Sequence, residues 1–76
     1  MERKIFLELC RSAAFANCIE TGVIPENLIV KYGNQSYFPF KYELSFNKDG
    51  SVRHAAVLHD LKAKAVVYAP LDKVVQ

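Results

Sequence analysis

The stretch YFPFKYELSFNKDGSVRHAAVLHD, residues 37 to 60, decides the fold. Before NKDG, apolar and polar side chains alternate. In an extended chain Phe38, Phe40, Tyr42, Leu44 and Phe46 fall on one face, and Pro39, Lys41, Glu43 and Ser45 on the other. Asn47 to Gly50 predicts a type I turn followed by Gly50 in the left-handed conformation, which makes a three-residue hairpin loop with a bulge. That loop pairs Asn47 with Ser51, Phe46 with Val52, Leu44 with His54, Tyr42 with Ala56 and Phe40 with Leu58. A two-residue loop would set Phe46 against Arg53 and spoil the apolar face, because a one-residue slip flips every side chain. Pro39 has no N–H to give to a ladder, so the start of this strand belongs at a sheet edge or a bulge.

Working outward, NLIVKY at 27 to 32 predicts a preceding strand, and GNQS at 33 to 36 the turn between the two. After residue 60, DLKAK turns the chain into a further strand, AVVYAP. LDKVVQ then closes it as a helical turn or a short edge strand. Ahead of the strands, apolar residues recur at helical spacing from about residue 3 to 20. Leu7, Cys10, Ala14 and Cys18 form one stripe, and Phe6, Leu9, Ala13 and Ala16 the adjacent one. Gly22 suits the left-handed position past a helix end, Val23 the apolar contact after it, and Pro25 forbids continuation. The expectation is one α+β domain over residues 1 to 76: an N-terminal helix, then a four- or five-stranded antiparallel meander over about 27 to 75. That sheet would curl toward a small barrel.

Half of the 76 residues are apolar, enough for the whole chain to fold, although the length is near the lower limit for one unstapled core. The net charge of +2 comes from ten basic residues scattered among eight acids, without the dense basic stripe of a dedicated nucleic-acid binder. Cys10 and Cys18, two turns apart on a continuous helix, would lie about 12 Å from each other, too far for a disulfide. They lack zinc-site spacing and read as small buried hydrophobes in a reducing compartment. No leader is visible and no stretch approaches the roughly 20 apolar residues of a membrane span, so the chain reads as soluble and cytoplasmic, without a membrane partner.

The two histidines, His54 and His59, invite an enzyme reading because Asp60 adjoins the second. Five residues apart in one strand, they point to opposite faces and cannot share a metal. Asp60 fits better as a side-chain cap of the following turn. Neither histidine has a nucleophile beside it, and no glycine-rich phosphate loop or metal-ligand spacing is present, so catalytic residues, metals and cofactors are not expected. Candidate contacts for a ligand are Tyr32 and Tyr37 flanking the GNQS turn, the basic residues Lys31, Lys41, Arg53, Lys62 and Lys64, and the histidines His54 and His59. The apolar helix and the Ala55, Val57 pair on the other sheet face exceed what one helix on one sheet consumes. A homo-oligomer, most simply a dimer, would cover that surplus through Leu7, Cys10, Ala14, Cys18, Ala55 and Val57.

The stretch YFPFKYELSFNKDGSVRHAAVLHDLKAKAVVYAPLDKV, residues 37 to 74 and about half of the chain, resembles small phage- and prophage-encoded proteins of Clostridium-like bacteria in its YELSF run, its NKDG turn and its HAAVLHDLKAKAV run. The resemblance implies an accessory protein acting in a bacterial cytoplasm by binding. It would inhibit a host defence protein or sequester a signalling nucleotide. It carries over no functional residue. A non-enzymatic binding module is the leading expectation, and a small nucleic-acid-binding domain on a basic, aromatic-flanked sheet the alternative.

Overall fold

A computed structural model describes residues 1–13, 18 and 20–76. Helix α1 (Arg3–Ser12) is followed by a 3-10 turn at Glu26–Leu28 and four strands, β1 (Val30–Tyr32), β2 (Gln35–Phe46), β3 (Val52–Asp60) and β4 (Ala65–Pro70). The strands form one antiparallel meander in the order β1-β2-β3-β4, giving the expected α+β architecture with a curled sheet.

The NKDG hairpin forms as its residues dictate. Asn47 N–H donates to Ser51 O at 2.8 Å, Gly50 N–H to Asn47 O at 3.0 Å, and Gly50 has φ +87°. Asp49 Oδ1 accepts from the Ser51 amide at 2.9 Å and from its hydroxyl at 2.6 Å, and these bonds hold the Asp49 carboxyl below its ordinary pKa. The pairs Phe46–Val52, Leu44–His54 and Tyr42–Ala56 follow. The other turns are equally local. Gly33 at φ +63° opens a two-residue Gly33–Asn34 loop, so Gln35 and Ser36 belong to β2 rather than to the turn. Asp60 Oδ1 accepts from the amides of Lys62 and Ala63, each at 3.1 Å, capping the β3–β4 turn.

Several further expectations change. The first concerns register: the ladder slips between Pro39 and Lys41, so Leu58 faces Pro39 rather than Phe40, and Phe38 faces His59. Phe40 is the extra residue of a bulge, placed beside a proline that cannot join the ladder. Side-chain parity therefore reverses on the far side of it. Tyr37 and Pro39 share the helix-covered face with Tyr42, while Phe38 is carried to the second face. The second concerns the helix, which ends at Ser12 because Ala13 is extended (φ −81°, ψ 122°). Alanine is the best helix former, so the break at Ala13 does not follow from its own propensity. Cys18, Glu20 and Thr21 are helical again, closing on Gly22 at φ +72°. Val23 is exposed instead of making the expected contact, and Asn27 and Leu28 fall in the 3-10 turn rather than in β1.

The core gathers where α1 crosses β2. Phe6 is fully buried among Val30, Tyr37, Ala56, Leu58, Ala69, Leu71 and Val74, with Leu9, Cys10 and Tyr42 packed around it. The C-terminal segment supplies both of its expected conformations, a 3-10 turn at Leu71–Lys73 and then an antiparallel bridge from Val75 back to Lys31. Their amides exchange bonds of 2.6 and 3.0 Å, so the end of the chain returns to the outer edge of β1. The Met1 ammonium donates to the carbonyls of Leu71 and Val74 at 3.0 and 2.9 Å.

Lengths fix what the core leaves open. The 12 residues of β2 extend about 40 Å, which sets the long axis of a 42 × 24 × 22 Å molecule. The ten residues of α1 span only about 15 Å. Leu44, Phe46 and Val52, on the helix face but beyond its reach, are therefore exposed, Phe46 at 72%.

Gly50→Val should destabilise the fold by about 1 kcal/mol or more, because a β-branched side chain is strained at positive φ. A Cβ there meets nothing within 4 Å, so the cost is purely conformational. Unchanged denaturant unfolding would contradict the turn assignment. Phe6→Ala should cost about 3–5 kcal/mol in the same assay, the range for emptying a buried aromatic site.

Candidate functional site

Parity along the ladder puts Glu43 and Ser45 of β2, Arg53 and Ala55 of β3, and Tyr68 and Pro70 of β4 on the second face. There Ala55 stands between Glu43 and Pro70 across the sheet, and Ser45 opposite Arg53. Ala55 is the smallest side chain of that row. The larger residues around it leave a cleft of about 330 Å³, lined by Glu43, Ser45, Arg53, His54, Tyr68 and Pro70 together with Ala55 and Ala69.

The cleft holds opposite charges in different states of satisfaction. Arg53 donates from Nε to Ser45 Oγ at 3.1 Å, and its two terminal nitrogens have no acceptor among the described residues. Glu43 Oε2 is removed from solvent and has no hydrogen-bond partner among the described residues. A buried carboxylate oxygen without a donor is costly, and Glu43 is among the residues that line the cleft. Tyr68 stands at the rim with 62% of its surface exposed, an aromatic face available for stacking. On the opposite side of β3, His54 Nδ1 is hydrogen-bonded to the Tyr42 hydroxyl, their rings tilted at 30° with centroids 5.9 Å apart.

The candidates singled out in the sequence are partly gathered and partly dispersed. Arg53 and His54 line the cleft. His54 pairs with Leu44 as expected, yet it is exposed, because α1 does not reach that end of the sheet. His59 lies toward the other end of β3, edge-on to Phe40 with centroids 6.3 Å apart, and the two histidines occupy opposite faces. Lys41 is exposed with its ammonium 6.0 Å from the Phe40 ring centre. Lys31 lies on β1, and Lys62 and Lys64 in the β3–β4 turn, so the basic residues are spread over both ends of the molecule. Tyr37 is not a surface contact. The bulge turns it into the core, and its hydroxyl donates to Gln35 Oε1 at 2.8 Å. Tyr32 is half-buried against the same core.

Of the residues proposed to cover a dimer, Val57 and Cys18 are already buried within the chain, Ala55 lines the cleft, and Leu7 and Cys10 are half-buried. Ala14 lies outside the described residues, as do Phe15, Ala16 and Ile19. Glu43 and Tyr68 were not singled out by sequence. The available signal was a lone acid on the polar face of β2, held between Lys41 and Arg53 and facing an alanine. Among the described residues no cluster of three or more His, Cys, Asp or Glu could hold a metal, and no helix is long and apolar enough to cross a membrane.

Both cysteines are free. Burial against the core raises the Cys10 thiol to about 11, outweighing a backbone hydrogen bond that acts the other way. The fold favours the thiol over the thiolate, so this contribution is complete below about pH 9 and is lost as pH rises toward 11. Thermal unfolding should therefore show a loss of stability over that window that Cys10→Ala removes. An identical alkaline profile in the variant would contradict the burial of Cys10.

No family model matches this chain, and no curated protein or solved structure matches it.

Proposed function

We propose that the chain is a non-enzymatic binding module of the phage-accessory type, and that its second-face cleft sequesters a single nucleotide. The observation that carries this reading is the buried, unpartnered Glu43 oxygen beside Arg53. A ligand that satisfies both must present an N–H donor at one end and an anion at the other. A guanine nucleotide does so. Its ring edge offers two adjacent N–H groups to a carboxylate, its phosphate suits a guanidinium with free terminal nitrogens, and its base can stack on Tyr68. A cleft of about 330 Å³ is at the small end of ligand sites, the size for a mononucleotide rather than a polymer. The cleft's polar groups serve recognition: the Glu43 carboxylate, the Arg53 guanidinium and a Ser45 hydroxyl already bonded to it.

Calorimetric titration with guanine, adenine and cytosine nucleotides tests the proposal. Guanine nucleotides should bind, Arg53→Ala should weaken them at least about tenfold through loss of the charge-assisted bonds, and Glu43→Gln should erode the preference for guanine. Affinity should change little between about 50 and 200 mM salt, whereas binding through many phosphates would collapse over that range. Absence of nucleotide binding at millimolar concentration would overturn the reading. A steep salt dependence on single-stranded RNA or DNA would favour the nucleic-acid alternative.

A further inference from the structure

We infer that the nucleotide of the second-face cleft carries two or three phosphates, which turn around the open edge of β3 into a neighbouring cationic groove. The ligand class, which rests on the nucleotide reading of the cleft, is then a guanine nucleoside di- or triphosphate. One arginine serves both cavities. Arg53, with His54 and Pro70, lines the cleft of about 330 Å³ and also a groove of about 540 Å³ next to it. The strand lengths make the junction. β4 ends at Pro70, opposite Ala55, while β3 begins three residues before Ala55, at Val52. Among the described residues no strand lies beside 52–54 on that side, so the two faces of the sheet meet there at an open edge.

The charges of the groove select what enters it. Its lining sets Arg3, Arg53 and the Met1 ammonium against a single carboxylate, Asp72. The ammonium is held by its bonds to the Leu71 and Val74 carbonyls, at 3.0 and 2.9 Å. Arg3 has no ionic or hydrogen-bonding partner among the described residues, and Asp72 pairs with none of the three cations. Three positive charges against one negative leave an excess that a multiply charged anion offsets and a neutral or cationic group does not. A monophosphate stops at Arg53 and leaves Arg3 without an acceptor. Each further phosphate adds oxygens and negative charge on the groove side of Arg53, where the planar guanidinium of Arg3 bonds them in pairs.

Calorimetric titration of the full chain with guanosine mono-, di- and triphosphate, without divalent cations, reads the phosphate number directly. Affinity should rise about tenfold or more from the mono- to the diphosphate, the scale of one added hydrogen bond between charged groups. The triphosphate should bind at least as tightly as the diphosphate. Arg3→Gln, at an exposed position, should leave thermal unfolding unchanged and lower the di- and triphosphate affinities about tenfold, with a smaller effect on the monophosphate. Equal affinity of the wild type for all three would overturn the inference and leave the cleft reading standing. So would an Arg3→Gln variant that keeps the full gain from mono- to diphosphate. Failure of all three nucleotides to bind at millimolar concentration would overturn the cleft reading and this inference together.

Discussion

The antiparallel ladder between β2 and β3, with one extra residue on the β2 side at Phe40, is the constraint from which the other features descend. Beyond the bulge Tyr37 joins Val30, Leu58 and Phe6 in the core, and Phe38 is buried on the other face. Before it Tyr42, Leu44 and Phe46 line up with Ala56, His54 and Val52, so Glu43, Ser45, Arg53 and Ala55 share the second face. Without the extra residue the two halves of β2 could not both present their larger apolar side chains to the places that take them. A bulge also bends and twists its strand, and so contributes to the curl that lets Val75 reach back to Lys31.

A second consequence is one of length. Ten helical residues cannot cover a strand of twelve, because the rise per residue in a helix is less than half that in a strand. The covered end holds the core and the joined termini. The uncovered end holds an apolar ridge on one face and the Ala55 cleft on the other. Phe46 and Arg53 are exposed, and neither belongs to the core around Phe6.

Local chemistry was legible in the sequence wherever a turn residue or a strict alternation fixed it. The NKDG loop, the Asn47–Ser51 pair, the Asp60 cap and the opposite facing of the histidines all rest on neighbours within a few residues. The bulge was legible only as a suspicion at Pro39. In YFPF every residue is apolar, so either parity places large side chains on both faces and periodicity cannot choose. The end of α1 was illegible for a different reason: Ala13 favours helix, and nothing in its own side chain signals the extended backbone it adopts. Glu43 escaped notice because a lone acid on a polar face looks solvated until a cross-strand alanine and proline are seen to enclose it.

The cleft on the second face and the apolar ridge on the helix face both take their side-chain parity from the β2–β3 ladder. The most direct test is therefore the register of that ladder, read from cross-strand nuclear Overhauser contacts in solution. The account predicts contacts of Leu58 with Pro39, His59 with Phe38 and Val57 with Lys41, with Phe40 outside the pairing. A regular ladder, with Leu58 against Phe40 and contacts running unbroken from Phe46 to Phe38, would contradict it.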